Sequence, residues 1–357
     1  MARKKAFVGL SGGVDSAVSA ALLKREGYDV IGVFAWIALP GYPCTAAADR
    51  RDALRVAAHL RIPFLDIDLS REYRDKIFSH ALESYRRGET PNPDALCNRE
   101  IKFGLLYDFA RSRGADLFAT GHYARLEKTR AGETHLLMGV DPHKDQSYFL
   151  WAVPERTLAN TVFPVGGLHK PEVRKLARAF GLPNAERKDS QGLCFLGAIS
   201  LEEALIKELG PSSGDVLDEA GAVIGRHRGA ILYTIGERHG FTISVQSADQ
   251  EPRYVVAKDI ERNTITVSPQ AALPHENESG QGTILSLRAA NWIGEAVDGR
   301  ITARFRYRQT LRPALLERTE EGAIVRFDVP NAVPVGQSLV AYRGERCLGG
   351  GEIGGVR

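Results

Sequence analysis

Long apolar runs, cysteines and an excess of one charge are all scarce in this sequence of 357 residues. No stretch approaches the ~18 uninterrupted apolar residues of a membrane span, and the apolar run near the start is shorter than a signal-peptide core. Four cysteines do not make a disulfide framework in so long a chain. We therefore expect a reducing, cytoplasmic setting, where a cysteine with a role serves catalysis or metal binding.

The charges nearly cancel, because 47 Lys and Arg face 44 Asp and Glu and leave a formal charge of +3. This balance allows an anionic partner such as nucleic acid without requiring one. With 43% apolar and 25% charged residues, the composition is that of an ordinary globular protein. The length exceeds one ordinary core and predicts two or three domains.

Short apolar runs alternate with helical patterns in the first part of the chain, which predicts an α/β fold: a parallel sheet with helices on both faces. Apolar residues recur at helical spacing from Val14 to Leu22, and Gly27 follows as a helix stop. Pro171 opens a later helical pattern that Gly181 closes. The strand candidates are Lys5–Leu10, Asp29–Phe34, Phe64–Leu69 and Asp116–Thr120.

Frequent glycines and short β-type runs such as Ala230–Ile235 replace this pattern from about residue 210. They predict two small β domains, the last a β-barrel. We expect a catalytic α/β domain over 1–200, a central β-rich domain over 201–274 and a C-terminal barrel over 275–357.

A basic strip is predicted in the run Ile301–Arg308 of the last domain. If this run is a strand, Arg304, Arg306 and Arg308 share one face and the aromatic residues between them share the other. Five arginines and no acidic residue lie between Asp298 and Glu317. The strip is a candidate RNA contact, with a solvated edge strand as the alternative.

The segment Gly9–Ser16 lies at the predicted junction of the first strand and the first helix. Glycines there allow a sharp turn that directs several backbone N–H groups to one place, where phosphate oxygens bind. Neither the dinucleotide pattern G-x-G-x-x-G nor the Walker pattern with its lysine is present. A turn that merely starts a helix, capped by Ser or Asp, is the alternative.

The residues Ser11–Ser16 resemble the S-G-G-x-D-S motif of the PP-loop ATP pyrophosphatases, whose fold is of the adenine nucleotide alpha-hydrolase type. The resemblance implies transfer of AMP from ATP to a substrate oxygen, with the loop holding the pyrophosphate that leaves. It also implies Mg²⁺, for which Asp15 is a candidate ligand, although Asp15 could instead cap the helix. The implied ATP-binding residues here are Gly9, Leu10, Ser11, Gly12, Gly13, Val14, Asp15 and Ser16.

Two cysteines have the surroundings of reactive thiols. Cys97 follows two prolines and precedes a predicted helix, Glu100–Arg113, so the helix N-terminus and the nearby Arg99 favour its thiolate. Asp94, three residues earlier, is near enough to exchange a proton with a substrate. Cys194 follows a small flexible stretch with basic residues upstream. A buried structural cysteine is the alternative for either one.

With these segments the chain resembles the bacterial tRNA-specific 2-thiouridylases over its whole length. The resemblance implies an enzyme that replaces O2 of the wobble uridine in tRNA anticodons with sulfur. It implies ATP and a sulfur-donor protein, either a cysteine desulfurase or a persulfide relay protein. The matching segments are Gly9–Ser16, Cys44–Asp49, Thr90–Phe103, Ala119–Tyr123, Lys144–Leu150, Phe163–Gly166, Lys188–Phe195, Arg306–Gln309 and Cys347–Gly351.

Matching positions carry the family's roles to single residues of this chain. Cys97 takes the nucleophile position and Cys194 the persulfide-carrying position, which implies a transient disulfide between them. Gly121 lies in the turn that closes the nucleotide site. Ala35 takes the position whose backbone meets adenine, where many members have a methionine instead. The implied tRNA-binding residues are Asn92, Pro93, Asp94, Lys144, Asp145, Gln146, Arg306 and Tyr307.

The chemistry explains why ATP is needed, since a uracil carbonyl is a poor electrophile with a poor leaving group. Adenylation of O2 converts that group to AMP, after which a persulfide on Cys194 attacks C2 and Cys97 attacks the inner sulfur. The order of the cysteine steps stays open. One alternative is an adenylating enzyme that passes nitrogen to an activated carbonyl and needs no cysteine pair. The other is a non-catalytic RNA-binding protein.

Overall fold

A computed structural model describes residues 3–188, 201–244, 252–269, 282–295, 297–329 and 332–357. Its strands are β1 Lys5–Gly9, β2 Asp29–Trp36, β3 Phe64–Asp68, β4 Leu117–Ala119, β5 Ala124–Lys128, β6 Thr134–Met138, β7 Thr161–Val162, β8 Gly214–Leu217, β9 Val223–His227, β10 Phe241–Ile243, β11 Tyr254–Asp259, β12 Thr264–Ser268, β13 Thr283–Trp292, β14 Gly299–Arg304, β15 Arg312–Thr319, β16 Gly322–Phe327, β17 Ser338–Arg343 and β18 Arg346–Val356.

The α-helices are Val14–Arg25, Ala46–Leu60, Ser70–Tyr73, Ser79–Arg86, Pro93–Cys97, Tyr107–Ser112, Ser147–Leu150, Glu155–Leu158, Lys170–Ala179 and Leu201–Leu209. Two π-helical segments, Arg74–Phe78 and Asn98–Leu106, continue neighbouring α-helices without a break, and Ala230–Leu232 is a 3₁₀ turn. π-Helical turns are rare and occur often at functional sites. The second one directly follows Cys97.

A five-stranded parallel sheet with the order β3-β2-β1-β4-β7 forms the N-terminal part. Alternate residues of β1 enter different cores, because successive side chains of a strand point to opposite faces. Phe7 packs in one core with Phe118, whereas Ala6 and Val8 pack in another with residues of the helix Val14–Arg25. Both faces of the sheet are therefore covered, and the predicted α/β architecture is confirmed.

Two β units follow this sheet. The central one has the strand order β10-β9-β8-β12-β11. In the C-terminal one, β13, β16, β15, β14, β17 and β18 pair in sequence, and a β13–β18 pairing closes the ring. The closed ring of strands confirms the predicted barrel. The domain boundaries at 200 and 274 remain predictions.

A hairpin from the N-terminal part extends the barrel sheet, and the sequence analysis missed it. Strands β5 and β6 pair with each other, and β6 pairs with β18 through Leu136 and Leu137 opposite Cys347 and Arg346. Leu136 and Cys347 are fully buried at this contact. The α/β part and the barrel thus share one continuous sheet.

Two predicted β segments are wrong. Ala230–Ile235 is not a strand: it begins with the 3₁₀ turn Ala230–Leu232, whose first residue is buried. Strand β14 ends at Arg304, so the run to Arg308 is not one strand and its arginines do not share a face. In the described ranges, no helix is long and apolar enough to cross a membrane.

Candidate active site

The segment Gly9–Ser16 connects β1 to the helix Val14–Arg25 at the carboxyl edge of the parallel sheet. The turn Thr120–Tyr123 leaves β4, which is the neighbour of β1. Strand order reverses between β1 and β4, since β2 and β4 flank β1 on opposite sides. Open parallel sheets bind ligands at such a reversal, outside the carboxyl ends of the strands. The glycine segment therefore lies where this fold class binds nucleotides.

The backbone of this loop requires glycine. Gly12 has a φ of +79°, and a Cβ there would lie 2.5 Å from the carbonyl oxygen of Asp49. Gly13 caps the helix without a side-chain hydrogen bond. The Ser16 hydroxyl donates to the Gly13 carbonyl at 3.1 Å and accepts from the Ser11 N–H at 3.2 Å. Because Gly13 has no side chain over the helix start, the backbone N–H groups there can bind an anionic ligand.

Gly121 brings the second turn against the start of the same helix. A Cβ on Gly121 would lie 2.6 Å from the backbone nitrogen of Ser16 and 2.8 Å from the carbonyl carbon of Asp15, so the contact excludes any side chain. Ala35 is half-buried near the end of β2, opposite Ile67 of β3. Gly121 thus contacts the helix start directly, and Ala35 lies near the carboxyl end of β2, the strand on the other side of β1.

Asp15, the candidate metal ligand, is bound by a lysine from a distant part of the chain. The Nζ atom of Lys170 lies 2.7 and 2.8 Å from its two carboxylate oxygens, and the Tyr123 hydroxyl donates to Oδ1 at 2.8 Å. The side chain of Lys170 is 12% exposed and that of Asp15 is 30% exposed, so the pair is partly buried. Sequence reasoning missed Lys170, because 155 residues separate it from Asp15.

Two further residues fix the carbonyl group of Gly12. The Asn184 amide donates to the Gly12 oxygen at 2.8 Å, and Nη1 of Arg187 donates to it at 3.2 Å. Arg187 also pairs with Asp49 and Asp52 of the helix Ala46–Leu60. The sequence marked Arg187 only as a basic residue upstream of Cys194, whereas the structure places it on the glycine loop.

The helix that carries Cys97 begins at Pro93, earlier than predicted. The Asn92 side chain caps it by accepting the Ala95 N–H at 3.2 Å. Cys97 is the last residue of this five-residue helix and is 4% exposed, packed in the core between the sheet and the barrel. Its side chain must become accessible before it can meet a substrate atom.

Asp94 is the titratable group next to Cys97. Burial raises the pKa of its carboxyl, and the Lys102 ammonium partly opposes this rise. A carboxyl with a raised pKa exchanges protons closer to neutral pH than an exposed one does. His122 differs, because burial lowers its pKa well below the usual value and its Nδ1 lies 2.7 Å from the Thr120 hydroxyl. It is a hydrogen-bonded core residue.

The segment before Cys97 contacts both β units. The Thr90 N–H donates to the Val335 carbonyl at 2.8 Å, and the Thr90 hydroxyl lies 3.3 Å from that of Thr234 in the central unit. The Asn92 amide donates to the Ser338 hydroxyl of the barrel at 3.1 Å. All three structural units therefore meet beside the helix of Cys97.

The residues Lys144, Asp145 and Gln146 have different surroundings from one another. Asp145 is 4% exposed and accepts from Nη2 of Arg304 at 2.6 Å, so its carboxylate serves an internal ion pair. The Gln146 side-chain oxygen accepts the Tyr123 N–H at 3.0 Å. Lys144 is half-buried. Gln146 thus braces the turn beside the glycine loop, and Asp145 binds the arginine at the end of barrel strand β14.

Arg306 and Tyr307 lie in the turn that follows β14. Arg306 is exposed and donates to the Ile235 carbonyl of the central unit at 2.9 Å. The Tyr307 ring lies 4.6 Å from the Phe149 ring, centroid to centroid. Arg304 is buried in an ion pair with Asp145, whereas Arg306 and Arg308 are exposed.

Comparison with known families agrees with this geometry. A model described as tRNA methyl transferase HUP domain matches residues 4–198, one described as tRNA methyl transferase PRC-barrel domain matches 202–269, and one described as Aminomethyltransferase beta-barrel domain matches 283–353. A tRNA-specific 2-thiouridylase MnmA from Pseudomonas fluorescens is 46% identical over 98% of this chain and 95% of its own. The chain belongs to the tRNA-specific 2-thiouridylase family.

Other members of the 2-thiouridylase family and a more distant structure also match. A tRNA-specific 2-thiouridylase MnmA from Lysinibacillus sphaericus is 42% identical over 98% of this chain and 94% of its own. Among solved structures, the U34-tRNA thiolase NcsA from Methanococcus maripaludis matches with a TM-score of 0.36 and 19% identity, over 58% of this chain and 68% of that chain. The membership predicted from the motifs is confirmed.

The second cysteine of the 2-thiouridylase pattern, Cys194, lies outside the described residues. Described residues before and after it in the sequence contact two parts of the site. Arg187 contacts Gly12 of the loop, and Leu201 lines the same apolar cavity as Pro93 of the Cys97 helix. Cys347, by contrast, is buried, and burial raises the pKa of its thiol to about 12, which leaves it unreactive.

Proposed function

We propose that this protein is an ATP-dependent tRNA sulfurtransferase that replaces O2 of the wobble uridine with sulfur and releases AMP and pyrophosphate. One observation carries the proposal: the chain on both sides of Cys194 is anchored at the site, by Arg187 at the loop and by Leu201 beside Pro93. Cys194 is seven residues before Leu201, and such a segment spans up to about 24 Å when extended. The helix of Cys97 is within that reach.

In the activation step, the uridine O2 attacks the α-phosphorus of ATP. The bond from that phosphorus to the bridging oxygen breaks, and its electron pair leaves with pyrophosphate. The glycine segment Gly9–Ser16 holds the pyrophosphate end, and Ala35 and Gly121 flank the adenosine end. In this proposal Asp94 exchanges a proton with the base, and its raised pKa supports that role.

Mg²⁺ is proposed only as the ion that accompanies the ATP phosphates. Both carboxylate oxygens of Asp15 already accept from Lys170. Within the described ranges, no three His, Cys, Asp or Glu side chains form a group that could hold a metal. This donor set does not fit a cation held by the protein alone, so no step is assigned to the ion.

In the sulfur step, the terminal persulfide sulfur on Cys194 attacks C2 and AMP leaves with the former O2. Cys97 then attacks the inner sulfur. A disulfide forms between Cys97 and Cys194, and the electron pair of the broken S–S bond passes to the outer sulfur, which becomes the thiocarbonyl. A thiol reductant must supply two electrons to reset the pair. The reverse order, with Cys97 forming the first bond to C2, is the alternative.

The tRNA partner is gripped, in this proposal, by the segment around Asn92, Pro93 and Asp94 together with Lys144, Arg306 and Tyr307. Asp145 and Gln146 act by binding internal partners, Arg304 and the Tyr123 backbone, rather than by touching RNA. A cysteine desulfurase or a persulfide relay protein donates the sulfur. The cysteine chemistry requires a reducing compartment, so we propose a cytoplasmic location.

The test incubates purified protein with ATP, Mg²⁺, unmodified tRNA, a cysteine desulfurase with cysteine as the persulfide donor and a thiol reductant, and measures 2-thiouridine by mass spectrometry. We expect Cys97→Ser and Cys194→Ser each to abolish the product, because each removes a sulfur that the transfer needs. Cys44→Ser is the matched control and should keep full activity, since Cys44 is exposed. A full yield of 2-thiouridine in either site variant would contradict the cysteine steps, and AMP release by the wild type without any 2-thiouridine would favour nitrogen transfer. Salt-sensitive RNA binding without AMP release would favour a non-catalytic RNA-binding protein.

A further inference from the structure

The glycine loop contains a carboxylate but no cation. Asp15 lies in the first turn of the helix, and no lysine follows the glycines. A carboxylate beside a pyrophosphate opposes its binding, because like charges a few ångströms apart repel strongly in a partly dry site. An anion site with this sequence therefore needs a positive group from elsewhere in the fold.

Lys170 is the positive group that the fold brings there. Its Nζ atom lies within 2.8 Å of both Asp15 carboxylate oxygens, and its side chain is 12% exposed. Nζ also lies 5.8 Å from the centre of the Tyr123 ring, whose hydroxyl binds the same carboxylate. The ammonium is thus fixed beside the glycine loop and close to the turn Thr120–Tyr123.

The backbone of Lys170 is fixed as firmly as its side chain. Lys170 is the first residue of its helix, and its N–H donates to the buried Asp141 carboxylate at 2.9 Å. A capping box between His169 and Glu172 holds the preceding residue. Because the backbone and the side chain of Lys170 are already fixed, the lysine loses little conformational entropy when it binds a ligand.

We propose that Lys170 is a catalytic residue for adenylation: its ammonium binds the pyrophosphate end of ATP from beside Asp15. This inference rests on the proposed function. When the bond between the α-phosphorus and the bridging oxygen breaks, negative charge grows on the departing pyrophosphate, and the ammonium stabilises it. The lysine acts by its charge, and the step moves no proton to or from it. Asp15 keeps the ammonium in place and offsets its charge in the empty site.

The competing interpretation is structural, with Lys170 and Asp15 only bracing each other. The two interpretations differ in their ligand dependence. A brace affects every nucleotide alike and fails equally when either partner is removed. A pyrophosphate ligand acts on ATP and pyrophosphate but not on AMP, which lacks the β-phosphate.

The experiment measures the dissociation constants of ATP, inorganic pyrophosphate and AMP by calorimetry on the full chain. We expect Lys170→Ala to weaken ATP and pyrophosphate binding about 10- to 100-fold, the usual effect of removing a charged hydrogen-bond partner, and to change AMP binding less than twofold. Lys170→Arg should recover part of the loss. Lys175→Ala is the matched control, because Lys175 is exposed on the same helix, and it should bind all three ligands as the wild type does.

A second variant separates the two interpretations even where Lys170→Ala is less stable. Asp15→Asn frees the ammonium, so pyrophosphate binding should be kept or strengthened. Equal losses in Asp15→Asn and Lys170→Ala, or equal losses of AMP and pyrophosphate, would overturn the inference. If wild-type protein thiolates tRNA while Lys170→Ala binds pyrophosphate normally, only this inference fails. If the wild type neither binds ATP nor thiolates tRNA, the proposed function fails.

Discussion

Burial sets the proton affinity of single residues around this site, and it does so in opposite directions. It raises the pKa of Asp94, lowers that of His122 and raises that of the Cys347 thiol to about 12. In each case the charged form is the one that burial disfavours. His122 and Cys347 are neutral as a result, and Asp94 is the group whose proton exchange moves towards neutral pH.

Asp94→Asn should raise the stability of the protein at neutral pH and lower its activity. The native carboxyl binds its proton more tightly than the unfolded one, so the unfolded state holds fewer protons between the two pKa values. Stability therefore falls as the pH rises through that window. We expect the variant to have a higher free energy of unfolding than the wild type at pH 7.5 and a smaller difference at pH 4.5. Thiolation should fall at least 100-fold, the scale of a lost acid or base.

Urea unfolding at the two pH values checks the stability of Asp94→Asn, and the 2-thiouridine yield checks its activity. Asp108→Asn is the control, because Asp108 is exposed in the same run of helix, and it should change neither quantity. A variant that is equally destabilised at both pH values would contradict the burial argument.

At the scale of elements, the sequence predicted those helices and strands whose formation depends on residues close together in the chain. The strand Lys5–Gly9 and the helix after it follow local apolar spacing, and their junction was found within one residue. The strand predicted over Ile301–Arg308 ends at Arg304, and Arg308 in the turn beyond it has a φ of +62°. Alternation of residue types continues there, but Arg304 turns inwards to Asp145. A pattern along one segment does not reveal such a distant partner.

The contact between two turns predicts the effect of Gly121→Ala. The added methyl group would lie 2.6 Å from the Ser16 nitrogen, so the Thr120–Tyr123 turn must move away from the helix start. We expect the KM for ATP to rise about tenfold or more and stability to fall by about 1–3 kcal/mol, the usual cost of overpacking. Steady-state kinetics and thermal unfolding measure the two effects.

Gly167→Ala is the matched control for Gly121→Ala. A Cβ on Gly167 meets nothing within 4 Å, and its backbone needs no left-handed conformation. This variant should keep the wild-type KM and melting temperature. An unchanged KM for ATP in Gly121→Ala would show that the turn does not form part of a nucleotide site.

At the scale of the whole molecule, a buried ion pair connects the barrel to the glycine segment Gly9–Ser16. Arg304 donates to Asp145 at 2.6 Å and to the Tyr342 hydroxyl at 2.8 Å. The next residue, Gln146, holds the backbone of Tyr123, whose hydroxyl binds Asp15. Arg304 and Asp145 lie 159 positions apart in the sequence, which explains why the sequence assigned both to the RNA surface.

Arg304→Met should destabilise the protein by about 3–5 kcal/mol, because it leaves the Asp145 carboxylate buried without its partner. Urea unfolding measures this loss. Arg300→Met on the same strand is the control and should cost less than about 0.5 kcal/mol, since Arg300 is exposed. Adding Asp145→Leu should restore part of the stability. A loss as small as the control's would show that the pair contributes nothing.

The hairpin β5–β6 makes this three-part protein indivisible. A fragment cut after residue 188 would keep the hairpin but lose β18, so Leu136 would face water and β6 would offer its open edge to other chains. A fragment that keeps only the barrel would have Cys347 and the outer edge of β18 exposed in turn. The adenylating part therefore cannot be transplanted as a free-standing module, and its gene can be neither split nor shortened at that point without inviting aggregation.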